Sequence, residues 1–180
     1  MFTGGDQILI CKALLKSNFL NKMKKRFEKD KHFLISGNSA GAMALSEVMI
    51  AGGSPSQALK KGHIQLSEGL GLLPRIIVDT HFIKRERFAR LIEAVSIYPQ
   101  KLGIGLAENT AVFFKKVEMV ETIGSNLVIL VDPSQLSYNN IKYINHNDPI
   151  CLENLKLHIL PKNHKFNILK RKIYNISNEF

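Results

Sequence analysis

The chain has 180 residues, a formal net charge of +10 and 45% hydrophobic residues. That size and apolar content give one domain with its own core and exclude a disordered polypeptide. No apolar run approaches the ~18–20 residues that span a bilayer, and the first residues lack the basic-then-apolar pattern of a signal peptide. Cys11 and Cys151 are too few for a disulfide scaffold and have no metal-type spacing. The expectation is a chain with no metal, no other cofactor and no membrane partner, in a reducing cytoplasm. The positive excess gathers in Lys22-Met23-Lys24-Lys25-Arg26, and again in His164-Lys165 and Lys170-Arg171-Lys172. Neither cluster has interleaved aromatic residues or a recognition motif, so both read as solvated faces rather than a nucleic-acid site.

Residues 7–16 read as a helix, with Ile8, Leu9, Cys11, Leu14 and Leu15 at helical spacings. A second helix covers 20–29, with Asn21 as its cap. Residues 33–36 read as a strand and 40–50 as a helix, stopped by Ala51-Gly52-Gly53-Ser54-Pro55. Residues 56–74, with Gly62, Gly69 and Gly71, read as a loop. Arg75-Ile76-Ile77-Val78-Asp79 reads as a strand buried on both faces of a parallel sheet, with a carboxylate at its C-terminal end. A helix over 85–96 puts Phe88, Leu91, Ile92 and Val95 on one face. Strands at 102–107 and 111–114 flank Glu108-Asn109-Thr110, and strands at 127–131 and 155–160 follow. Strands alternating with helices give an α/β fold: one domain over 1–180, built on a mostly parallel sheet flanked by helices.

Gly37-Asn38-Ser39-Ala40-Gly41 joins a strand to a helix with the pattern G-x-S-x-G. In that context the pattern is a nucleophile elbow, with the Ser hydroxyl exposed at a sharp turn. The N–H of Ala40, at the start of the helix, would face a developing oxyanion. The other reading is a chance match in a loop. A Ser hydroxyl needs a base, and the base needs an orienting acceptor. His81 alone of six histidines directly follows a buried-type strand. Active sites of open α/β sheets lie beyond the C-terminal strand ends, where Ser39, His81 and Glu108 all fall. The competing readings are a structural histidine at 81 and a turn carboxylate at 108.

Arg87 and Arg90 share a flank of the helix after His81, and Arg85 lies nearer its apolar side. They could hold a substrate carboxylate, or they could be a solvated face paired with Glu86. Thr3-Gly4-Gly5-Asp6-Gln7 could supply a second oxyanion donor at Gly5 and a polar contact at Gln7. The alternative there is a plain turn.

Phe2-Thr3-Gly4-Gly5-Asp6-Gln7, the elbow, Gly69-Leu70-Gly71-Leu72-Leu73-Pro74, Asp79-Thr80-His81-Phe82 and Arg85-x-Arg87-x-x-Arg90-Leu91 together resemble the cyanophycinases. These are serine exopeptidases related to dipeptidase E, on a scaffold similar to class I glutamine amidotransferases. The resemblance is dense from residue 2 to about 131. It implies a Ser39-His81-Glu108 triad, an oxyanion hole at Gly5 and Ala40, and substrate contacts from Gln7, Asp79, Arg85, Arg87 and Arg90. It implies a homodimer acting on cyanophycin, a poly-aspartate carrying arginine on each side chain, with release of β-aspartyl-arginine. Two departures stand out. Thr80 occupies the place of the usual Gln, which bears on specificity. The chain also begins at the glycine loop, so the N-terminal portion of the family's sheet is expected to be missing. A dipeptidase acting on aspartyl peptides, and an inactive remnant that only binds polymer, are the alternatives.

Overall fold

The computed structural model describes residues 1–53, 59–115 and 118–174. Helix α1 (Gln7–Leu14) starts where the Asp6 carboxylate accepts from the N–H groups of Ile8 (2.7 Å) and Leu9 (3.4 Å). Helix α2 (Asn18–Lys29) is capped by Ser17, whose hydroxyl accepts from Leu20 N–H at 3.2 Å. The cap is therefore Ser17 and not Asn21. Residues 33–36 do not form a strand. They run beside a single residue, Phe2, which donates to the Ser36 carbonyl at 2.8 Å and accepts from Asn38 N–H at 2.9 Å.

The helix expected over 40–50 is only α3 (Ala40–Ala44). The carbonyls of Ala44 and Leu45, which would continue it, accept instead from Leu70, Leu72 and Leu73 N–H. The chain then extends as β1 (Val48–Gly53), pairing antiparallel with β2 (Ile64–Glu68), inside the segment expected to be loop. Ser54-Pro55, part of the expected stop signal, lies outside the described residues.

Four strands form the central sheet: β3 (Ile76–Thr80), β4 (Leu102–Leu106), β7 (Val128–Asp132) and β10 (Lys156–Leu160), in the order β10-β7-β4-β3. Only β3 and β4 pair in parallel, in register from Ile76↔Leu102 to Thr80↔Leu106; β4–β7 and β7–β10 are antiparallel. The α/β class stands, and its parallel part carries the rim described below. A second, antiparallel sheet has the order β12-β11-β6-β5, with β5 (Thr110–Lys115), β6 (Met119–Gly124), β11 (Lys165–Asn167) and β12 (Lys172–Tyr174). A two-stranded ribbon of β8 (Tyr138–Asn139) and β9 (Leu152–Glu153) completes the strands among the described residues.

Both faces of the central sheet are covered at β3, β4 and β7, which is why those strands read as continuous apolar runs, while Leu157 and Ile159 of the edge strand β10 stay exposed. Ile76, Val78, Ile104, Val128 and Leu130 pack toward Val120 and Phe166 of the second sheet. Ile77, Ile129 and Val131 pack against helix α4 (Phe88–Ile97) through Leu91, Ala94 and Val95. A third cluster, with Cys11, Leu20, Met23 and Met49, lies under α1 and α2. Leu91 is fully buried between α4 and the sheet. Truncating it removes contacts that relaxation recovers only in part. Leu91→Ala is expected to cost about 2–5 kcal/mol, read as a lower denaturant midpoint with unchanged slope.

Candidate active site

The elbow forms because two residues in it have no Cβ. A Cβ on Gly37 would lie 2.5 Å from the Gly41 carbonyl oxygen, and one on Gly41 would collide with the Phe2 backbone. Between them Ser39 holds φ 51° and ψ −118°, a left-handed backbone that a non-glycine residue adopts at a cost. Ser39 sits at the N-cap of α3, yet its side chain makes no capping hydrogen bond there among the described residues. Its hydroxyl meets His81 Nε2 at 2.9 Å. On the other ring nitrogen, Nδ1, His81 faces Glu108 Oε1 at 3.3 Å. Both side chains are about one-third exposed, so this chain of three groups opens to solvent.

The strand pairing explains the meeting. β3 and β4 run the same way in register, so the residues just past their C-terminal ends share a rim. His81 lies one residue past β3 and Glu108 two past β4, while the elbow closes the third side. Phe82 N–H donates to the Leu106 carbonyl at 3.0 Å and ties the two exits together. Glu108 also marks a turn, as its carbonyl accepts from Thr110 Oγ1 at 3.2 Å. The carboxylate itself faces His81.

Partial desolvation pushes the Glu108 carboxyl up. A hydrogen bond from its own backbone N–H, the hydrogen bond with His81 and the charges of His81 and Lys84 outweigh that and hold it below the usual range. Lys84 is a cation near the site that the sequence pattern did not single out. It lies on the exposed stretch after His81, where no periodicity marks it.

The glycine loop lies alongside. A Cβ on Gly4 would be 3.4 Å from Ser39 Cβ, and Gly5 holds φ +136°. Ala40 is buried as the first residue of α3, where a backbone N–H has no partner within the helix. Gln7 is less available than a pocket residue would be. Its Nε2 donates to the carbonyls of Ile50 and Ala51, both at 3.0 Å. Those carbonyls belong to β1, a strand the sequence pattern concealed.

The charges expected to meet substrate divide sharply. Arg85 is exposed. Asp79 is fully buried and Arg90 nearly so, and they face each other in a two-point contact: Nε to Oδ2 at 2.6 Å and an Nη to Oδ1 at 2.5 Å. Neither presents a free charge outward. Arg87 is intermediate; an Nη donates to the Thr80 carbonyl at 2.8 Å and lies 3.4 Å from Asp79 Oδ1. Burial and the neighbouring Arg90 charge lower its pKa, against the pull of Asp79. Thr80 is itself buried, with its hydroxyl 3.5 Å from Met43 Sδ.

Elsewhere, a cleft of about 520 Å³ is lined by Glu47, Leu66, Glu68, Tyr98 and Lys101 among others, and Ser39, His81 and Glu108 are not among its walls. Lys101 donates to Glu47 and to the Pro74 carbonyl there, so its charge is already matched. Among the described residues, no cluster of three or more His, Cys, Asp or Glu could hold a metal, and no helix is long and apolar enough to cross a membrane.

The family described as peptidase family S51 matches residues 1–122 of the chain. A protein named cyanophycinase from Geminocystis herdmanii is 39% identical over 165 residues, covering 92% of this chain and 60% of its own length. Another of that name from Trichormus variabilis is 35% identical over 171 residues, covering 95% and 57%. One from Thermosynechococcus vestitus is 37% identical, covering 95% and 53%. The chain thus spans little more than half the length of the curated relatives it matches. Among solved structures, a peptidase from an acI-B1 Actinobacterium superposes with a TM-score of 0.58 at 21% identity, covering 93% of this chain and 58% of that one. That likeness bears on the fold.

The lowered Glu108 carboxyl has a measurable consequence. In NMR titration it is expected to titrate below the ordinary 4.5. Its contribution to stability should be complete above the unfolded-state pKa and fade as pH falls through the lowered folded value. His81→Ala should move the Glu108 midpoint upward; an unchanged midpoint would separate the two groups.

Proposed function

The chain belongs to peptidase family S51, and on that premise we propose that it is a serine exopeptidase that releases β-aspartyl-arginine from cyanophycin. The observation that carries the reading is the unbroken sequence of contacts from Ser39 Oγ through both His81 nitrogens to Glu108. The names of the relatives support the substrate, and the matched residues 1–122 include all three groups.

In the proposed reaction His81 Nε2 takes the proton of Ser39 Oγ as that oxygen bonds to the peptide carbonyl carbon. The N–H groups of Ala40 and Gly5 stabilise the resulting oxyanion, an effect worth about 3–4 kcal/mol per donor in comparable sites. His81 then gives the proton to the departing amine, the C–N bond breaks, and an ester to Ser39 remains. A water molecule, deprotonated by His81, hydrolyses the ester and returns the hydroxyl. Glu108 holds the Nδ1–H tautomer throughout and stabilises the imidazolium. Ionised Glu108 suits that role, and its lowered pKa keeps it ionised at neutral pH.

At the rim, Arg85 and Lys84 offer exposed positive charge to the carboxylates of such a polymer. The shorter Thr80 side chain, in place of the family's usual Gln, turns to Met43 rather than outward. A homodimer and a cytoplasmic site of action belong to the same reading.

Ser39→Ala is expected to lower kcat for cyanophycin hydrolysis by at least about 10⁴-fold while leaving the thermal midpoint within a few degrees. Amino-acid analysis of released β-aspartyl-arginine is the measurement. Release by the variant at the wild-type rate would end the proposal. Activity on aspartyl dipeptides with none on the polymer would favour the dipeptidase alternative, and no reaction of Ser39 with a fluorophosphonate would favour an inactive remnant.

A further inference from the structure

Three linked charges lie directly below the His81 loop, Asp79 and Arg90 buried and Arg87 partly so, and their contacts converge on one residue, Thr80. Asp79, the next-to-last residue of β3, is fully buried. Arg90 reaches it from the first turn of α4 with two hydrogen bonds, at 2.6 and 2.5 Å. The chain between them, 80–89, contains His81. Asp79 Oδ1 also accepts from Thr80 N–H at 2.8 Å. The Thr80 carbonyl accepts from Arg87 at 2.8 Å. Thr80 is therefore gripped on both sides, and its carbonyl belongs to the peptide that leads into His81.

That peptide needs holding. His81 has φ 53°, and the loop bends again at Glu86 with φ 50°. Neither residue is glycine, so each left-handed conformation is strained and persists only where surroundings enforce it. Further along, Arg85 N–H donates to the His81 carbonyl and Arg87 N–H to the Phe82 carbonyl, both at 3.0 Å. Phe82 is fully buried and its ring packs on Phe88 at 4.6 Å between centroids. A buried ion pair is weak evidence for stability, because desolvation consumes most of its attraction. Its geometry is another matter: two parallel N–H···O bonds fix direction as well as distance.

We propose that Asp79, Arg87 and Arg90 are positioning residues for His81. They act through Thr80, held by Asp79 at its N–H and by Arg87 at the carbonyl that leads into His81, and do not contact substrate. The inference rests on His81 serving as the base. It departs from the expectation that these residues line the substrate pocket, and it leaves Arg85 as the arginine available at the rim.

Arg90→Lys keeps the charge and removes the two-point contact. Three readouts follow: the imidazole ¹⁵N and ¹H resonances of His81 in the ligand-free protein, the rate of Ser39 labelling by a small fluorophosphonate, and steady-state hydrolysis of cyanophycin. The expected result is a changed His81 spectrum, labelling slower by at least tenfold, and a matching fall in kcat with KM within twofold of wild type. A raised KM with unchanged spectrum and unchanged labelling would place Arg90 on the substrate and overturn the proposal. Should Arg90→Lys fail to fold, Asp79→Asn with Arg90→Gln removes both charges and keeps a hydrogen-bonded pair. The same three readouts then apply. If the wild-type protein neither labels nor hydrolyses, the hydrolase reading has failed, and the His81 spectrum still decides this inference: unchanged in the variant, it is overturned.

Discussion

The parallel pairing of β3 and β4 is the constraint on which the rest depends. A parallel ladder puts both C-terminal ends on one side, and the register Thr80↔Leu106 sets how far apart the emerging chains start. Everything at the candidate site hangs from those two exits. The pairing in turn requires cover on both faces, because neither strand has a polar side. The second sheet supplies one face and α4 the other. Residues far from Ser39, such as Phe166 and Leu91, thereby help decide where an imidazole can stand.

The cleft lies by the N-terminal ends of β3 and β4, and the rim with Ser39 by their C-terminal ends. The cleft bounded by Glu47 and Lys101 has volume but a neutralised lysine, and Ser39, His81 and Glu108 are not among its walls. The rim with Ser39 has the chemistry but little enclosure, its histidine and glutamate each about one-third exposed.

Legibility in the sequence followed burial. β3, β4 and β7 are short apolar runs in a two-faced core, β10 is an apolar edge strand with Leu157 and Ile159 exposed, and each lies within two residues of its expected position. The meeting of His81 and Glu108 could be reasoned from strand ends; for Ser39 that reasoning needs a strand over 33–36 that does not form, and the glycines of the elbow bring it there instead. The segment after the elbow could not. Val48-Met49-Ile50 continues an apolar stretch that suits helix or strand equally, and the choice falls to carbonyls of residues 44–45 captured from residues 70–73. That contact spans the loop and leaves no local trace. The same blindness hid the fate of Gln7, whose partners are carbonyls of the unread strand. Nor does helical periodicity tell that Arg90 turns inward: an arginine beside the apolar face reads as solvated unless its buried carboxylate partner is known.

One feature of the elbow bears on how its hydroxyl is held. Ser39 occupies a left-handed backbone position that glycine would fill without strain, and its hydroxyl gives nothing to the start of α3. On the energetics of folding alone, serine is the worse choice there. The strain is held in place by the close approach of the Phe2 backbone to Gly41, so the hydroxyl stands at a fixed point where the chain has little freedom to turn it away.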